Sequence, residues 1–235
     1  MTGFAKLAKV ESKLLLRDPG AIFSMAVPLF ILGIFGSGTS PGDTAALPSM
    51  SMTIAVGLVG LYMVPTTLAT YRERGILRRL STTPVSPGAL LSVQLILQLV
   101  FAVLASAVLV AVSVAVFQAA VPARVMTMVT AFLLGTSAIF AVGLLIAATA
   151  ASGRAANGVG VLLYFPLAYL GGVMQPKEAM PELLATIGEF TPLGLFRQAV
   201  HNAWSGAATQ PLLLAIMAVY ALVIGLVAAR FFRWE

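Results

Sequence analysis

The chain has 235 residues, 60% of them hydrophobic and 9% charged, with a mean hydropathy of +1.00. Soluble domains carry about 25% charge and disordered chains are poor in apolar residues, so both classes are excluded and an integral membrane protein remains. The net charge of +6 then sets topology rather than nucleic-acid binding, and the absence of cysteine excludes disulfides, thiolate metal sites and thiol nucleophiles.

A membrane helix needs about 20 apolar residues, so the gaps between charges locate the spans. Residues 1–18 hold Lys6, Lys9, Lys13 and Arg17, too many charges for a signal-peptide core. Phe4, Leu7, Val10, Leu14, Leu15 and Leu16 recur near helical spacing. The segment is expected to be an amphipathic helix lying in the interface, with its lysines toward headgroups or water. A first, short span follows at 21–35, broken by Gly36, Gly38, Ser40, Pro41 and Gly42. A second covers 49–71. Residues 72–88 are densely charged, with Ile76, Leu77 and Leu80 at helical spacing and a stop at Pro84. Either this segment meets a partner or it is a solvated loop whose arginines anchor topology.

The next charge-free stretch supplies one long helix after Gly88. It is too short for two helices and a turn. A fourth span lies between Arg124 and Arg154, and a fifth at 159–173. Residues 175–210 carry Pro176, Pro181, Glu178, Glu182 and Glu189, then Thr191 and Pro192 as a helix N-cap and first helical residue. Two short helices are expected there, as a hairpin dipping into the outer leaflet. The last span is 211–229. The expected fold is all-α, with six transmembrane helices in a single domain over 1–235.

Six spans place both termini on one side. That side collects eleven of the fourteen basic residues, and Arg124, Lys177 and Arg197 lie opposite. The positive-inside rule therefore puts both termini in the cytoplasm, in a multi-pass arrangement in the inner membrane.

No charge falls in the six cores, which argues against ion-coupled transport. The polar residues inside spans are Thr66, Thr67 and Thr70 on the second, Gln94, Gln98 and Ser106 on the third, and Thr136 and Ser137 on the fourth. Gln94 and Gln98 share a face. These groups either join helices or line a path for a mostly apolar substrate. Small residues four apart, such as Gly143 with Ala147, suit close helix packing. Glu178, Glu182 and Glu189 form either a solvated external rim or an attraction for cationic substrate. His201 is the only histidine and makes a poor metal site. Trp204 and Trp234 are expected as membrane-edge anchors. No G-x-x-x-x-G-K-[ST] motif occurs, and none of the four lysines follows a glycine. No catalytic, cofactor or metal residue is assigned.

The run Arg72-Glu73-Arg74-Gly75-x-x-Arg78-Arg79-Leu80-x-x-Thr83-Pro84-Val85 resembles the loop after the second helix of type-2 ABC exporter permeases. Gly171-Gly172-Val173-x-x-Pro176, Met180-Pro181 and Thr191-Pro192-Leu193 are similar to that family's pattern near the fifth helix. The likeness covers essentially the whole chain, and its nearest look is the daunorubicin-type efflux branch. One departure is Arg74, where a second acid is common. The resemblance implies that two permeases, identical or paralogous, form the path, and that two separate P-loop ATPase subunits supply the energy. ATP and Mg would sit on those partners. Arg72, Glu73, Arg74, Gly75, Arg78, Arg79, Thr83 and Pro84 would dock the ATPase within a coupling segment over 72–88. Gly171, Gly172, Pro192 and Phe196 would belong to an external gate. The cargo implied is an amphipathic drug, antibiotic or lipid moved outward. A polysaccharide or glycolipid exporter of the same family is the alternative, and a non-transporting immunity or scaffold protein is a second.

Overall fold

The computed structural model describes residues 3–36, 45–76, 87–175, 177–208 and 210–231. The N-terminal α1 (Gly3–Leu16) meets α2 (Pro19–Gly36) at an elbow. The cause is local. Asp18 Oδ1 accepts the Gly20 N–H at 2.8 Å, and Pro19 starts the new helix, so the chain is capped and restarted rather than continued. The segments on either side of the elbow are bent by 55°.

A single long helix follows, in three parts: α3 (Ala46–Leu58), a π-helical turn (Val59–Met63) and α4 (Val64–Glu73). Pro65 explains the turn. Proline has no N–H to donate and its ring crowds the carbonyl four residues back, here that of Leu61. One wide turn absorbs the break without kinking the helix away. The freed stretch is packed tightly. A Cβ at Gly143 would collide with the Gly60 carbonyl oxygen, and one at Gly160 with that of Leu61. Only glycine permits these backbone-to-backbone approaches. The spacing of Gly143 with Ala147 is thus used, but its partner is the π turn.

This helix is the centre of the molecule. It packs against α2, α5 (Pro87–Phe117), α6 (Val125–Thr149), α7 (Gly153–Leu170) and α9 (Pro192–Ser205). It is buried along most of its length, whereas α5 and the last helix, α10 (Pro211–Phe231), are mostly uncovered. Val100 and Leu104 on α5, and Leu222 and Leu226 on α10, are exposed apolar side chains. Such faces suit lipid or a partner helix rather than water.

Between α7 and α10 lie a short 3-10 turn (Lys177–Ala179), α8 (Glu182–Phe190) and α9. Thr191 makes the corner as its position before Pro192 predicts. Its hydroxyl donates to the Gly188 carbonyl at 2.8 Å and accepts the Gly194 N–H at 3.2 Å. The corner lies inside the bundle. Leu193 is buried beside Gly57, and Tyr220, well along α10, donates to the Phe190 carbonyl at 3.0 Å. The far end of α9 returns to the α5–α6 loop, where the Ala123 N–H donates to the Trp204 carbonyl at 3.1 Å.

Among the described residues four helices are long and apolar enough to cross a membrane, namely 46–73, α5, α6 and α10, with a fifth if the bent α1–α2 pair is counted as one span. The count falls short of the six spans expected from charge gaps. The difference is α7. Its 18 residues include Arg154 and Asn157 in the opening turns, so the apolar part at 159–170 is too short to qualify alone. The long third-span helix appears as one unbroken α5 of 31 residues.

Candidate functional site

The proposed docking run divides in the structure. Arg72 and Glu73 close α4, and Arg74 leads into Gly75, which takes the left-handed φ of +64° that ends a helix. α4 therefore ends before Gly75, Ile76 is helical again, and the rest of the short helix expected at Ile76, Leu77 and Leu80 lies outside the described residues. Arg78, Arg79, Thr83 and Pro84 lie outside the described residues.

Three consecutive side chains at the end of α4 reach four other elements. The Tyr71 hydroxyl donates to Glu11 Oε2 on α1 at 2.6 Å. Gln94 on α5 donates to the same oxygen, and lies 3.2 Å from the Tyr71 oxygen. Arg72 donates to the Ala148 carbonyl at 2.9 Å and to the Ala150 carbonyl, at the end of α6. Glu73 Oε2 accepts the Gly153 N–H at 2.8 Å, at the start of α7. Each contact follows from charge. Helix C-termini present unpaired carbonyls and suit a cation, and N-termini present unpaired N–H groups and suit an anion. Arg72 and Glu73 thus match the two helix ends that flank the 150–152 turn. Ser152 adds its own N-cap, accepting the Ala155 N–H at 3.1 Å.

Spacing alone does not single out Glu11, although it is the one acid among the lysines of α1. It is 7% exposed and faces inward, while Lys9 and Lys13 face out. Val10 and Leu14 are exposed on the outer surface too, so the buried side of α1 is partly polar.

The candidate path residues form two groups. Gln94, Gln98, Thr66 and Thr67 line one cavity of about 370 Å³, together with Glu11 and Arg74. Thr136 and Ser137 line another, of about 280 Å³, between α5, α6 and α10. Gln94 is engaged as helix-joining glue. Gln98 is 2% exposed and neither amide atom has a hydrogen-bond partner among the described residues. The Thr66 and Thr136 hydroxyls are likewise unpartnered among the described residues, and Ser137 bonds back to the Leu133 carbonyl at 2.7 Å.

The external group is a packed corner. Gly172 has φ +73°, and the Arg197 guanidinium occupies the space where a Cβ would point. Arg197 also donates to the Gly171 carbonyl at 3.3 Å. Pro192 and Phe196 are buried, and the Phe196 ring meets Phe132 edge-on at 6.0 Å. Trp204 is buried rather than displayed at an edge, and its indole N–H donates to the Ala120 carbonyl at 2.7 Å. Trp234 lies outside the described residues. Lys177 pairs with Glu189 at 3.5 Å, so the acidic external group is partly neutralised. Among the described residues no cluster of His, Asp or Glu is arranged to hold a metal ion.

An all-helical bundle with apolar outer faces and a polar knot at one end of its central helix defines a multi-pass membrane protein. The chain belongs to the ABC-2 type transporter family, whose model matches residues 2–204, and it is accordingly a transporter permease rather than a catalytic subunit. The match spans α1 through most of α9, so it includes the whole knot. A comparison with curated proteins gives no match.

Proposed function

We propose that this permease serves an ATP-driven exporter that moves an amphipathic drug, antibiotic or lipid-like molecule outward, as the daunorubicin-type resemblance implies. The six long helices cross the membrane, α1 lies in the cytoplasmic interface, and α8–α9 form a re-entrant pair from the outer side. Two permeases pair, this chain with itself or with a paralogue. Two P-loop ATPases, holding ATP and Mg, dock on the 72–88 segment and on α1.

The observation that carries this reading is the knot at Tyr71, Arg72 and Glu73. A load applied just beyond Gly75 reaches α1, α5, α6 and α7 through hydrogen bonds, without relying on lipid-facing packing. Charge-assisted bonds of this kind are stronger than neutral ones, and their geometry transmits displacement between elements that the chain does not join directly. A docking surface placed there moves the whole bundle.

The experiment is copurification in mild detergent followed by nucleotide-dependent transport. A tagged permease that brings down a P-loop ATPase, with transport abolished by Arg78→Glu and Arg79→Glu together, supports the reading. Recovery of the permease alone from cells that express its neighbouring ATPase would sink it.

A further inference from the structure

We infer that the cavity between α1, the end of α4 and the start of α5 binds the headgroup of an aminophospholipid, ammonium end first. The cavity measures about 370 Å³, within the roughly 300–1,000 Å³ typical of small-molecule pockets. A water occupies about 30 Å³ of liquid, so the space has the volume of about a dozen waters.

The floor is polar and incompletely satisfied. Gln98 presents an amide with no partner at either atom among the described residues, and the Thr66 hydroxyl beside it is also unpartnered. Buried polar groups in a membrane protein are almost always paired, because lipid offers no substitute for water. Both residues line the cavity although these polar atoms are closed off from it, so an occupant that supplies donors and acceptors reaches them after a side-chain rotation. Glu11 shares that floor. It takes hydrogen bonds from Tyr71 and Gln94, yet no Lys or Arg nitrogen lies within ion-pair distance among the described residues. A buried carboxylate without a cation calls for one.

Charge is ordered from floor to mouth. Glu11 is buried, whereas Arg17 and Arg74 line the same cavity and are exposed; Asp18 lines it too, half-buried and holding the Gly20 N–H, so the opening is net basic. A ligand that enters head first must present a cation, then an anion. Phosphoethanolamine has that order, with a primary ammonium at its tip and a phosphate next. A primary ammonium donates hydrogen bonds to a carboxylate and to the Gln98 carbonyl, and arginine is the residue best matched to phosphate. A quaternary choline has no N–H to donate. The exposed Leu14 and Val10 on α1 give the acyl chains an apolar surface outside the mouth. The inference rests on the reading of α1 as an interfacial helix, since only there does a lipid headgroup reach the opening.

The test is native mass spectrometry of the full chain, offered equal amounts of phosphatidylethanolamine, phosphatidylcholine and phosphatidylglycerol. The permease alone suffices, so the outcome is independent of whether an ATPase partner exists. Phosphatidylethanolamine is expected to be retained about tenfold over phosphatidylcholine, the size of one charge-assisted hydrogen bond. Glu11→Gln should erase that preference. Gln98→Leu should lower phosphatidylethanolamine retention about tenfold as well, without lowering the unfolding temperature. Arg17→Ala, on an exposed side chain that leaves the fold untouched, should weaken retention of all three. Equal retention of the ethanolamine and choline lipids by the unaltered chain would overturn the inference, as would a preference that survives Glu11→Gln in a folded protein. Displacement by soluble O-phosphoethanolamine at equal concentration would overturn the lipid as its source. The position of α1 is read separately. Leu14→Cys, the sole thiol in that variant, should react with a membrane-soluble maleimide and resist a water-soluble one.

Discussion

Arg72 and Glu73 hold opposite sides of one turn. Arg72 binds the carbonyls of Ala148 and Ala150 where α6 ends, and Glu73 binds the Gly153 N–H where α7 begins. Adjacent residues of opposite charge therefore serve adjacent helix ends of opposite polarity. Arg72→Ala removes two bonds from a charged donor and leaves two carbonyls unmet, so a loss of about 2–3 kcal/mol is expected. Glu73→Ala, at a half-solvated cap, should cost about 1 kcal/mol. Because both act on the same turn, the double variant should lose less than the sum. Chemical unfolding in mild detergent reads all three. Strict additivity would show that the two bonds are energetically independent.

The π turn makes a different demand. Gly143→Ala and Gly160→Ala drive a methyl into the carbonyls of Gly60 and Leu61. Backbone cannot move aside as a flexible side chain can, so each is expected to cost about 3 kcal/mol or more, at the upper end of overpacking penalties. A methyl at Gly33, by contrast, would meet nothing within 4 Å. Gly33→Ala should be neutral or raise stability by about 0.5–1 kcal/mol through helix propensity. Thermal unfolding followed by size-exclusion chromatography separates the two outcomes.

Gln94 and Gln98 share a helix face and predict opposite results. Gln94→Leu leaves Glu11 and Tyr71 short of a partner and should cost about 1–3 kcal/mol. Gln98→Leu removes an amide that has no partner among the described residues, and stability should hold or rise. If Gln98→Leu destabilises as strongly as Gln94→Leu, its amide is satisfied in the folded protein and the cavity floor has no unmet amide to offer a ligand.

Trp204 ties the end of α9 to the α5–α6 loop. Trp204→Phe keeps most of the buried ring and loses the bond to Ala120, for a loss of about 1–2 kcal/mol. Trp204→Ala opens a cavity and should cost about 3–5 kcal/mol. Comparable losses for both would assign the indole N–H, rather than its volume, as the dominant contribution.

If an ATPase docks on the 72–88 segment as proposed, docking and folding separate along one short run of sequence. Arg78→Glu with Arg79→Glu should lower recovery of the ATPase at unchanged unfolding temperature, while Arg72→Ala should lower the unfolding temperature first. Loss of stability in the Arg78 and Arg79 variant would assign those residues to packing instead.

Much of this protein is visible in the sequence because a bilayer enforces simple rules. Apolar length, charge gaps and the Thr191-Pro192 cap locate the helices, since a backbone in lipid must satisfy itself within each segment. The same rules locate α5 as one helix and place a corner at Thr191. At α7, where Arg154 and Asn157 shorten the apolar run, the charge gap marks a span that the helix's own length and apolar content do not mark, because the charge-gap reading does not weigh polar residues just inside a span.

The tertiary structure decided what the polar residues do. Arg72 and Glu73 stand inside a charged run that reads as a contact surface, yet their partners are carbonyl and N–H groups of α6 and α7, which carry no side-chain signal. Glu11 is one acid among lysines, and only the packing of α1 on α4 and α5 turns it inward. Gly143 and Gly160 face a π turn forced by Pro65, a contact between backbones that leaves no pattern beyond two glycines. Composition thus determined the solvent and the elements. Long-range contact, in which backbone groups are the partners, determined the knot that ties them together.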